Sequence, residues 1–298
     1  MSAPTRVVGF LLCIAAVFGI ALAVGNHVGA VGRPDEAHAS GHDDSGHGHD
    51  HGTGPAATAA EVPGGLMVSS DGYTLALRDS VAPAGRDRDL FFVIEGPGGP
   101  VTSYDVQHGK RLHLIAVRRD FTGFQHVHPE LAPDGTWRTR LDLAPGQWRV
   151  FADFKPAGAA SLVLGSDLSV PGRATPASGS GSTRVATVDG YTVTLTGDLT
   201  AGQHSMLGLS VARNGRPVTD LQPYLGAYGH LVALRGGDLA YLHVHPDGEP
   251  GDGTTTPGPT VVFGAEVPSA GSYHLYLDFK HEGVARTAQF AVDAGSTS

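Results

Sequence analysis

Two sets of three histidines occur with the same spacing, and the imidazole nitrogen is a common ligand of transition metals. In each set a single histidine lies thirteen residues before a His-Val-His-Pro run. The six residues are His113, His126 and His128 in the first set and His230, His243 and His245 in the second. Three imidazoles can supply most of a coordination sphere. The pattern therefore predicts a transition-metal site in at least one of the two copies.

The histidine sets belong to a longer internal repeat. The segment Asp71–Thr74 recurs as Asp189–Thr192, and Asp153–Lys155 recurs as Asp278–Lys280. The second copy is eight residues longer between its histidine pair and its Asp-Phe-Lys segment, and the run Gly248–Pro259 accounts for the difference. Each copy has about 100 residues, which is enough for a domain with its own core.

The composition predicts an all-β fold. The 298 residues include 43 Gly and 20 Pro, which separate short apolar stretches. Seven candidate strands per copy are typical of an immunoglobulin-like or cupredoxin-like β-sandwich. The predicted segments are an anchor or signal segment at 1–25, a tether at 26–62, a first β-sandwich at 63–171, a linker at 172–184, a second β-sandwich at 185–293 and a tail at 294–298.

Strand geometry places the histidines of each set on one face. Residues two apart in a strand point the same way, so His243 and His245 share a face. A two-residue hairpin turn at Gly236-Gly237 would put His230 directly opposite His243. The first copy has Arg119-Asp120 at the equivalent centre, and any loop of even length there keeps its three histidines on a common face. The sequence therefore predicts a three-histidine face in both copies.

The same face carries apolar residues, which leaves a second interpretation open. These residues are Ile115, Val117 and Phe124 in the first copy and Val232, Leu234 and Tyr241 in the second. In the alternative, the histidines are buried core residues that bind backbone groups or a carboxylate, and the domains are structural or interaction modules. A third interpretation is a metal-dependent enzyme in which three histidines activate water. No general base stands out in the sequence, so we expect no enzymatic activity.

Two aspartates lie in otherwise apolar strands, and a buried carboxylate needs a partner. Asp153 and Asp278 could each be a fourth metal ligand, an acceptor for a histidine N–H, or the ion-pair partner of Arg118 or Arg235. We favour a structural role, or one in which the carboxylate orients a ligand without binding the metal.

The N-terminus predicts export. Val7–Gly25 is an uncharged apolar run of 19 residues preceded by Arg6, long enough to cross a bilayer as a helix. We expect a retained membrane anchor with the domains outside, and a cleaved signal peptide ending near Ala21–Ala23 is the alternative. Cys13 is the only cysteine and lies within this run. The exported part therefore has no disulfide and no thiolate ligand.

Two linkers differ in composition. The first is rich in histidine, aspartate and glycine, cannot bury a core, and is predicted to be a disordered tether with affinity for metal. Its closely spaced histidines are His38, His42, His47, His49 and His51. The second, residues 172–183, is rich in Gly, Ser and Pro and is expected to let the two domains reorient.

The ligand types restrict the metal. Three nitrogens, with or without an oxygen, suit the divalent ions of Zn, Cu, Ni or Co. A blue-copper carrier needs a cysteine ligand, and Met67 and Met206 are the only exported methionines, which disfavours Cu(I). The net charge of −9 without a basic cluster excludes a nucleic-acid partner. The expected partners are the membrane, the metal ion, and a metal transporter or chaperone of the envelope.

Three stretches carry a resemblance to a known family: LHLIAVRRDFTGFQHVHPELAPDGTW, GHLVALRGGDLAYLHVHP and GSYHLYLDFKHEG. They resemble a family of uncharacterised actinobacterial exported proteins that are often described as heavy-metal-associated. The resemblance covers both domains and implies an envelope location and an immunoglobulin-like or cupredoxin-like fold. Together with the histidine pattern, it favours an extracytoplasmic, membrane-anchored protein that binds divalent transition metals for buffering, delivery or sensing.

Overall fold

The computed structural model describes residues 62–175, 181–242 and 244–296. Every regular element in these ranges is a β-strand, which confirms the predicted all-β fold. The predicted anchor, the histidines of the tether and His243 lie outside the described residues. No helix in the described part of the chain is long and apolar enough to span a membrane.

The first β-sandwich consists of two sheets. Its strands are β1 (Ser69–Ser70), β2 (Tyr73–Leu77), β3 (Gly85–Gly96), β4 (Gly99–Pro100), β5 (Tyr104–Asp105), β6 (Leu112–Arg118), β7 (Gln125–Val127), β8 (Glu130–Leu131), β9 (Thr136–Leu143), β10 (Gly146–Pro156) and β11 (Leu162–Val170). The outer sheet has the order β1-β2-β3-β9-β8, with β4 on β3. The inner sheet has the order β11-β10-β6-β7, with β5 on β10.

The second β-sandwich repeats this arrangement. Its strands are β12 (Val185–Val188), β13 (Tyr191–Thr196), β14 (Leu199–Thr200), β15 (His204–Arg213), β16 (Arg216–Pro217), β17 (His230–Arg235), β18 (Tyr241–Leu242), β19 (Val244–Pro246), β20 (Thr260–Glu266), β21 (Gly271–His281) and β22 (Val284–Gly295). The outer sheet has the order β12-β13-β15-β20-β19, with β16 on β15. The inner sheet has the order β14-β22-β21-β17-β18.

Burial distinguishes the outer strands from the inner ones. Outer strand β9 alternates between core and solvent, as expected for a sheet covered on one face. Inner strand β6 is buried at six consecutive positions. Leu112 and Leu114 on one face belong to the core of the first sandwich, whereas Ile115 and Val117 on the other belong to a separate cluster. Both faces of the inner sheet are therefore covered.

That separate cluster joins the two sandwiches, whose inner sheets pack face to face. Its buried members are Ile115, Val117, Phe124 and Phe151 from the first copy and Val232, Leu234, Leu239, Tyr241 and Tyr276 from the second. The described residues of both sandwiches accordingly belong to one compact unit. The expectation that the domains reorient freely is therefore wrong, because a shared apolar core opposes their separation.

Equivalent positions of the repeat meet across this core with their roles exchanged. Phe124 stacks on Tyr276 with ring centroids 3.9 Å apart, and Phe151 contacts Tyr241 at 5.8 Å. Phe124 is the repeat equivalent of Tyr241, and Phe151 is the equivalent of Tyr276. The face that the sequence assigned to the core of each single domain is thus buried against the other domain.

The hairpin that carries the second histidine set has a different register from the one predicted. Strand β18 pairs with β17 so that Leu234 lies opposite Tyr241. The register predicted from a two-residue turn at Gly236-Gly237 is therefore wrong by two residues, and His243, whose pairing with His230 it implied, lies outside the described residues. In the first copy, His126 lies opposite Ile115 rather than His113. A shift by two residues preserves the face, because side chains alternate with a period of two.

The turn chemistry explains the shift. The hairpin is closed by a bond from the Arg235 N–H to the Ala240 carbonyl (2.9 Å), which leaves four residues in the turn. The Asp238 carboxylate accepts the Ala240 N–H (3.1 Å), and Leu239 adopts a left-handed conformation with φ of 62°. Aspartate commonly stabilises turns in this way. The Gly236-Gly237 pair is therefore part of a longer turn.

Candidate metal centre

In each inner sheet a histidine lies directly opposite an aspartate on the neighbouring strand. The pairs are His113 with Asp153 on β6 and β10, and His230 with Asp278 on β17 and β21. Opposed residues share a face and have Cβ atoms about 4.5–5.5 Å apart. Both pairs lie on the faces that pack together, so they meet between the two sandwiches, where β7 adds His126.

His126 of the first copy is bound by Asp278 of the second. Its Nδ1 donates to Asp278 Oδ2 at 2.7 Å, and the two side chains are only 2% and 6% exposed. The Thr287 hydroxyl donates to the other carboxylate oxygen at 2.5 Å. A carboxylate that accepts one ring N–H of a histidine and leaves the second nitrogen free for a metal recurs in metal sites. Asp278 thus orients His126 across the domain boundary.

The hydrogen bonds of His113 and His126 leave two lone pairs facing each other. His113 Nε2 lies 3.1 Å from the Gln107 carbonyl oxygen, so Nε2 must carry the proton. The Asp278 carboxylate likewise requires a proton on His126 Nδ1. In neutral rings the remaining nitrogens, His113 Nδ1 and His126 Nε2, are both acceptors, and they lie 3.0 Å apart. Two facing acceptors at this distance call for a cation between them, either a metal ion or one additional proton.

Two further imidazole nitrogens are buried without a hydrogen-bond partner: His128 Nε2 and His230 Nδ1. The His128 ring centroid lies 5.1 Å from His113 and 5.0 Å from His126, and that of His230 lies 4.8 Å from His126. A buried polar group without a partner costs about 1–3 kcal/mol. We call His113, His126, His128 and His230 the histidine cluster.

Burial keeps most of the cluster neutral. Desolvation, reinforced by the neighbouring His126, lowers the pKa of His113 to about 4 and that of His128 to about 3. The same causes hold the pKa of His230 well below its ordinary value. Near neutral pH these rings are in the form that binds metal. Burial raises the pKa of Asp153 to about 6, against the effect of the Tyr241 hydroxyl, which donates to it at 3.3 Å.

Two overlapping groups of side chains have the geometry to hold a metal ion. Within each group the candidate ligand atoms all lie within 4.8 Å of one another. The groups are His113, His126 and His128, and His126, His230 and Asp278. A tetrahedral ion with bonds of about 2.0–2.1 Å separates its ligand atoms by about 3.3 Å, so small side-chain movements would close either group. The first group is the predicted first-copy set, whereas the second joins the two copies.

The second-copy set is not assembled as predicted among the described residues. His230 faces the first sandwich, but His245 is exposed on β19, which pairs with β20 in the outer sheet. The third member, His243, lies outside the described residues, as do the five tether histidines. The structure thus brings one second-copy histidine to the first-copy set.

The two arginines proposed as partners of the buried aspartates pair elsewhere. Arg118 forms an ion pair with Asp120 at 2.9 Å, and Arg235 forms one with Asp238. In both cases a carboxylate two or three residues along the chain is at hand in the turn. The ion-pair alternative for the aspartates of the His–Asp pairs is therefore wrong.

Sequence reasoning missed two groups that contact the cluster and one that lies near it. The Gln107 carbonyl accepts the proton of His113 Nε2, and the Thr287 hydroxyl donates to the Asp278 carboxylate. His108, exposed in a turn, has its ring 6.1 Å from that of His113 and 5.8 Å from that of His230. Its neighbour Gly109 marks a turn in the sequence, but side-chain types do not indicate a carbonyl partner.

Several solved structures resemble the chain at low similarity. The Escherichia coli adhesin FdeC has 14% identity and a TM-score of 0.23, over 77% of this chain and 65% of that chain. Domains 4 and 5 of the S-layer protein SbsC have 11% identity and a TM-score of 0.20, over 78% of this chain and 100% of that chain. Bacteroides uniformis β-glucuronidase 3 has 10% identity and a TM-score of 0.22, over 76% of this chain and 25% of the enzyme.

No curated protein matches the chain. A family model does, and it matches twice: at residues 68–164 and at residues 186–296. The two matches coincide with the two β-sandwiches and together cover more than half of the sequence. The chain therefore belongs to the family described as a domain of unknown function, DUF8832, of which it carries two copies.

Proposed function

We propose that the protein binds divalent transition-metal ions, with Zn, Cu(II), Ni and Co as the candidates, at the histidine cluster between its domains. His113, His126 and His128 are the proposed ligands, and Asp278 orients His126. The proposed role is buffering, delivery or sensing at the cell envelope. The apolar run at Val7–Gly25 and the absence of cysteine beyond it support an exported, anchored protein.

One observation carries the metal assignment. His113 Nε2 donates its proton to the Gln107 carbonyl, and His126 Nδ1 donates its proton to the Asp278 carboxylate. The remaining nitrogens of the two rings face each other at 3.0 Å. A metal ion bound to both would satisfy them, and the unpartnered Nε2 of His128 would complete a third bond. The competing account places an extra proton between the two facing nitrogens and makes the cluster part of the interdomain core.

The test uses the full chain with the five tether histidines, His38, His42, His47, His49 and His51, replaced by serine. We call this protein the tether-silent variant. Melting temperature is measured with and without each of the four metals, and affinity is measured by competition with a chromophoric chelator. An ion at about a hundredfold its dissociation constant adds about 2.7 kcal/mol of stability. We expect this gain for at least one metal.

His128→Ala is the decisive substitution, because the Nε2 that it removes is buried and has no hydrogen-bond partner. The metal-free variant should fold normally, and the metal-dependent rise should fall or vanish. His204→Ala, which removes an exposed histidine of outer strand β15, is the matched control and should change nothing. Equal melting curves with and without all four metals would assign the cluster to the core. A full metal response in His128→Ala would equally contradict the proposal.

A further inference from the structure

His126 belongs to both groups of candidate ligands, and it is the only member that they share. The two nitrogens of an imidazole lie on opposite sides of the ring and can bind different partners. Here Nε2 faces His113, and Nδ1 faces Asp278. The first group can therefore use Nε2, which faces His113, and the second can use Nδ1, which faces Asp278.

His230 supplies an independent indication on the Asp278 side. Its Nδ1 is buried and unpartnered, although its ring lies 4.8 Å from that of His126. One ion on the Nε2 side of His126 would use the three first-copy histidines and leave this nitrogen without a role. A second ion, bound by His126 Nδ1, His230 and Asp278, would satisfy it.

We propose, on the basis of the proposed function, that the cluster binds two divalent metal ions bridged by the imidazolate of His126. The first ion takes nitrogens of His113, His126 and His128. The second takes nitrogens of His126 and His230 and an oxygen of Asp278. No electron is transferred: the second ion displaces the proton that His126 Nδ1 donates to Asp278, and that proton leaves to solvent.

The geometry requires only a small opening. His126 Nδ1 and Asp278 Oδ2 are 2.7 Å apart, and a tetrahedral ion would separate them to about 3.3 Å. Two divalent ions bring four positive charges. The imidazolate, the Asp278 carboxylate and the carboxylate of nearby Asp153, which lies opposite His113 in the sheet, offset three of them. Nitrogen ligands with one oxygen suit Cu(II) and Zn(II), which form the probe pair.

The experiment titrates the tether-silent variant with Cu(II) and counts bound ions while the electron paramagnetic resonance signal is recorded. The first equivalent should give a normal Cu(II) signal. The second should reduce the total signal to below half of that expected for two uncoupled copper ions, because copper ions joined by an imidazolate couple antiferromagnetically. Loading one equivalent of each metal, Cu(II) and Zn(II), should leave the signal of one uncoupled copper.

His230→Ala separates the second ion from the first. His230 Nδ1 has no hydrogen-bond partner to lose, and the variant should keep one copper with full signal. His204→Ala should still bind two ions with the reduced signal. One ion per chain in the parent, unaffected by His230→Ala, would overturn the bridge and leave the proposed function standing. Two ions with additive signals would also overturn the bridge, and no bound ion would remove both proposals.

Discussion

The two β-sandwich domains carry the same histidine run in different surroundings. In the first, β7 keeps His126 on the inner sheet beside β6, and His128 follows it, half-buried, within the cluster. In the second, the chain leaves the inner sheet after Leu242, and β19 pairs with the outer sheet, so that His245 is exposed. One motif therefore contributes to a buried site in one domain and to a surface edge strand in the other.

The aspartates of the two domains differ in the same way. On β22, Thr287 lies opposite Asp278 of β21, and its hydroxyl donates a hydrogen bond to the Asp278 carboxylate. The residue opposite Asp153 is Val163, which has no donor, and Asp153 receives the Tyr241 hydroxyl instead. The repeat thus preserves the His–Asp pairs, whereas the groups around them determine what each carboxylate can bind.

The largest expected effect comes from breaking the core shared by the domains. Phe151→Ala should lower the free energy of unfolding by about 3–5 kcal/mol, because Phe151 is fully buried in that core. Tyr276→Phe keeps the ring at the equivalent position of the second domain. It loses only the bond to the Phe121 carbonyl and should cost about 0.5–1.5 kcal/mol. Urea denaturation measures both. A loss below about 1 kcal/mol for Phe151→Ala would show that the sandwiches do not stabilise each other.

The next effect separates the two aspartates. Asp278→Asn in the tether-silent variant should weaken metal affinity about 10–100-fold, since it removes the carboxylate that orients His126. Asp153→Asn should change the affinity less. Among the described residues, Asp153 accepts a hydrogen bond from the Tyr241 hydroxyl and none from the histidine cluster. Chelator competition gives both values. Equal losses for the two variants would show that the aspartates of the two domains contribute equally to metal affinity.

Acid should destabilise the metal-free protein through the first-domain histidines. Their pKa values in the fold are about 4 for His113 and about 3 for His128, below the ordinary 6.5. The unfolded chain therefore binds more protons below pH 6.5, and stability that is present above this pH is lost as the pH falls. Urea midpoints between pH 7.5 and 3.5 should decrease, and the decrease should be smaller in His128→Asn.

Asp153 acts with the opposite sign. Its pKa is raised from 3.8 to about 6, so its contribution is present below pH 3.8 and is lost as the pH rises through 6. Asp153→Asn should therefore steepen the acid loss between pH 6 and 3.8. Parallel profiles for the parent and this variant would contradict the opposition of the two groups.

The smallest expected effect is that of His245→Ala. His245 is exposed on the outer sheet and belongs to neither group of candidate ligands, so its loss should change the free energy of metal binding by no more than about 0.5 kcal/mol. His128→Ala, at the equivalent position of the repeat, should weaken affinity at least tenfold in the same titration. A comparable loss for His245→Ala would mean that the two histidine runs serve one site equally.

Alternation and turn composition were sufficient for part of this architecture. Gly and Pro between short apolar runs predicted tandem sandwiches, and the period of two predicted that His113, His126 and His128 share a face. The register escaped prediction because Asp238 and Leu239 build a longer turn than the Gly-Gly pair suggests. Periodicity identifies a buried face but not what covers it.

For this reason the meeting of the two copies could not be read from the sequence. Ile115 and Val117 have the same pattern whether they face their own domain or another one. The bond between His126 and Asp278 joins residues 152 positions apart, and no local signal marks it. The position of the proton on His113, at Nε2, likewise depends on a backbone carbonyl, which side-chain types do not reveal.

The exchanged contacts of Phe124 with Tyr276 and of Tyr241 with Phe151 have the form made by a twofold axis between identical subunits. In a symmetric homodimer every substitution appears on both sides of the axis. When both halves are encoded in one chain, a single codon changes one side alone. Tyr241 can then carry a hydroxyl while Phe124 does not. Tandem fusion thus permits a pseudosymmetric interface to hold unequal sites, which no homodimer of one such domain could encode.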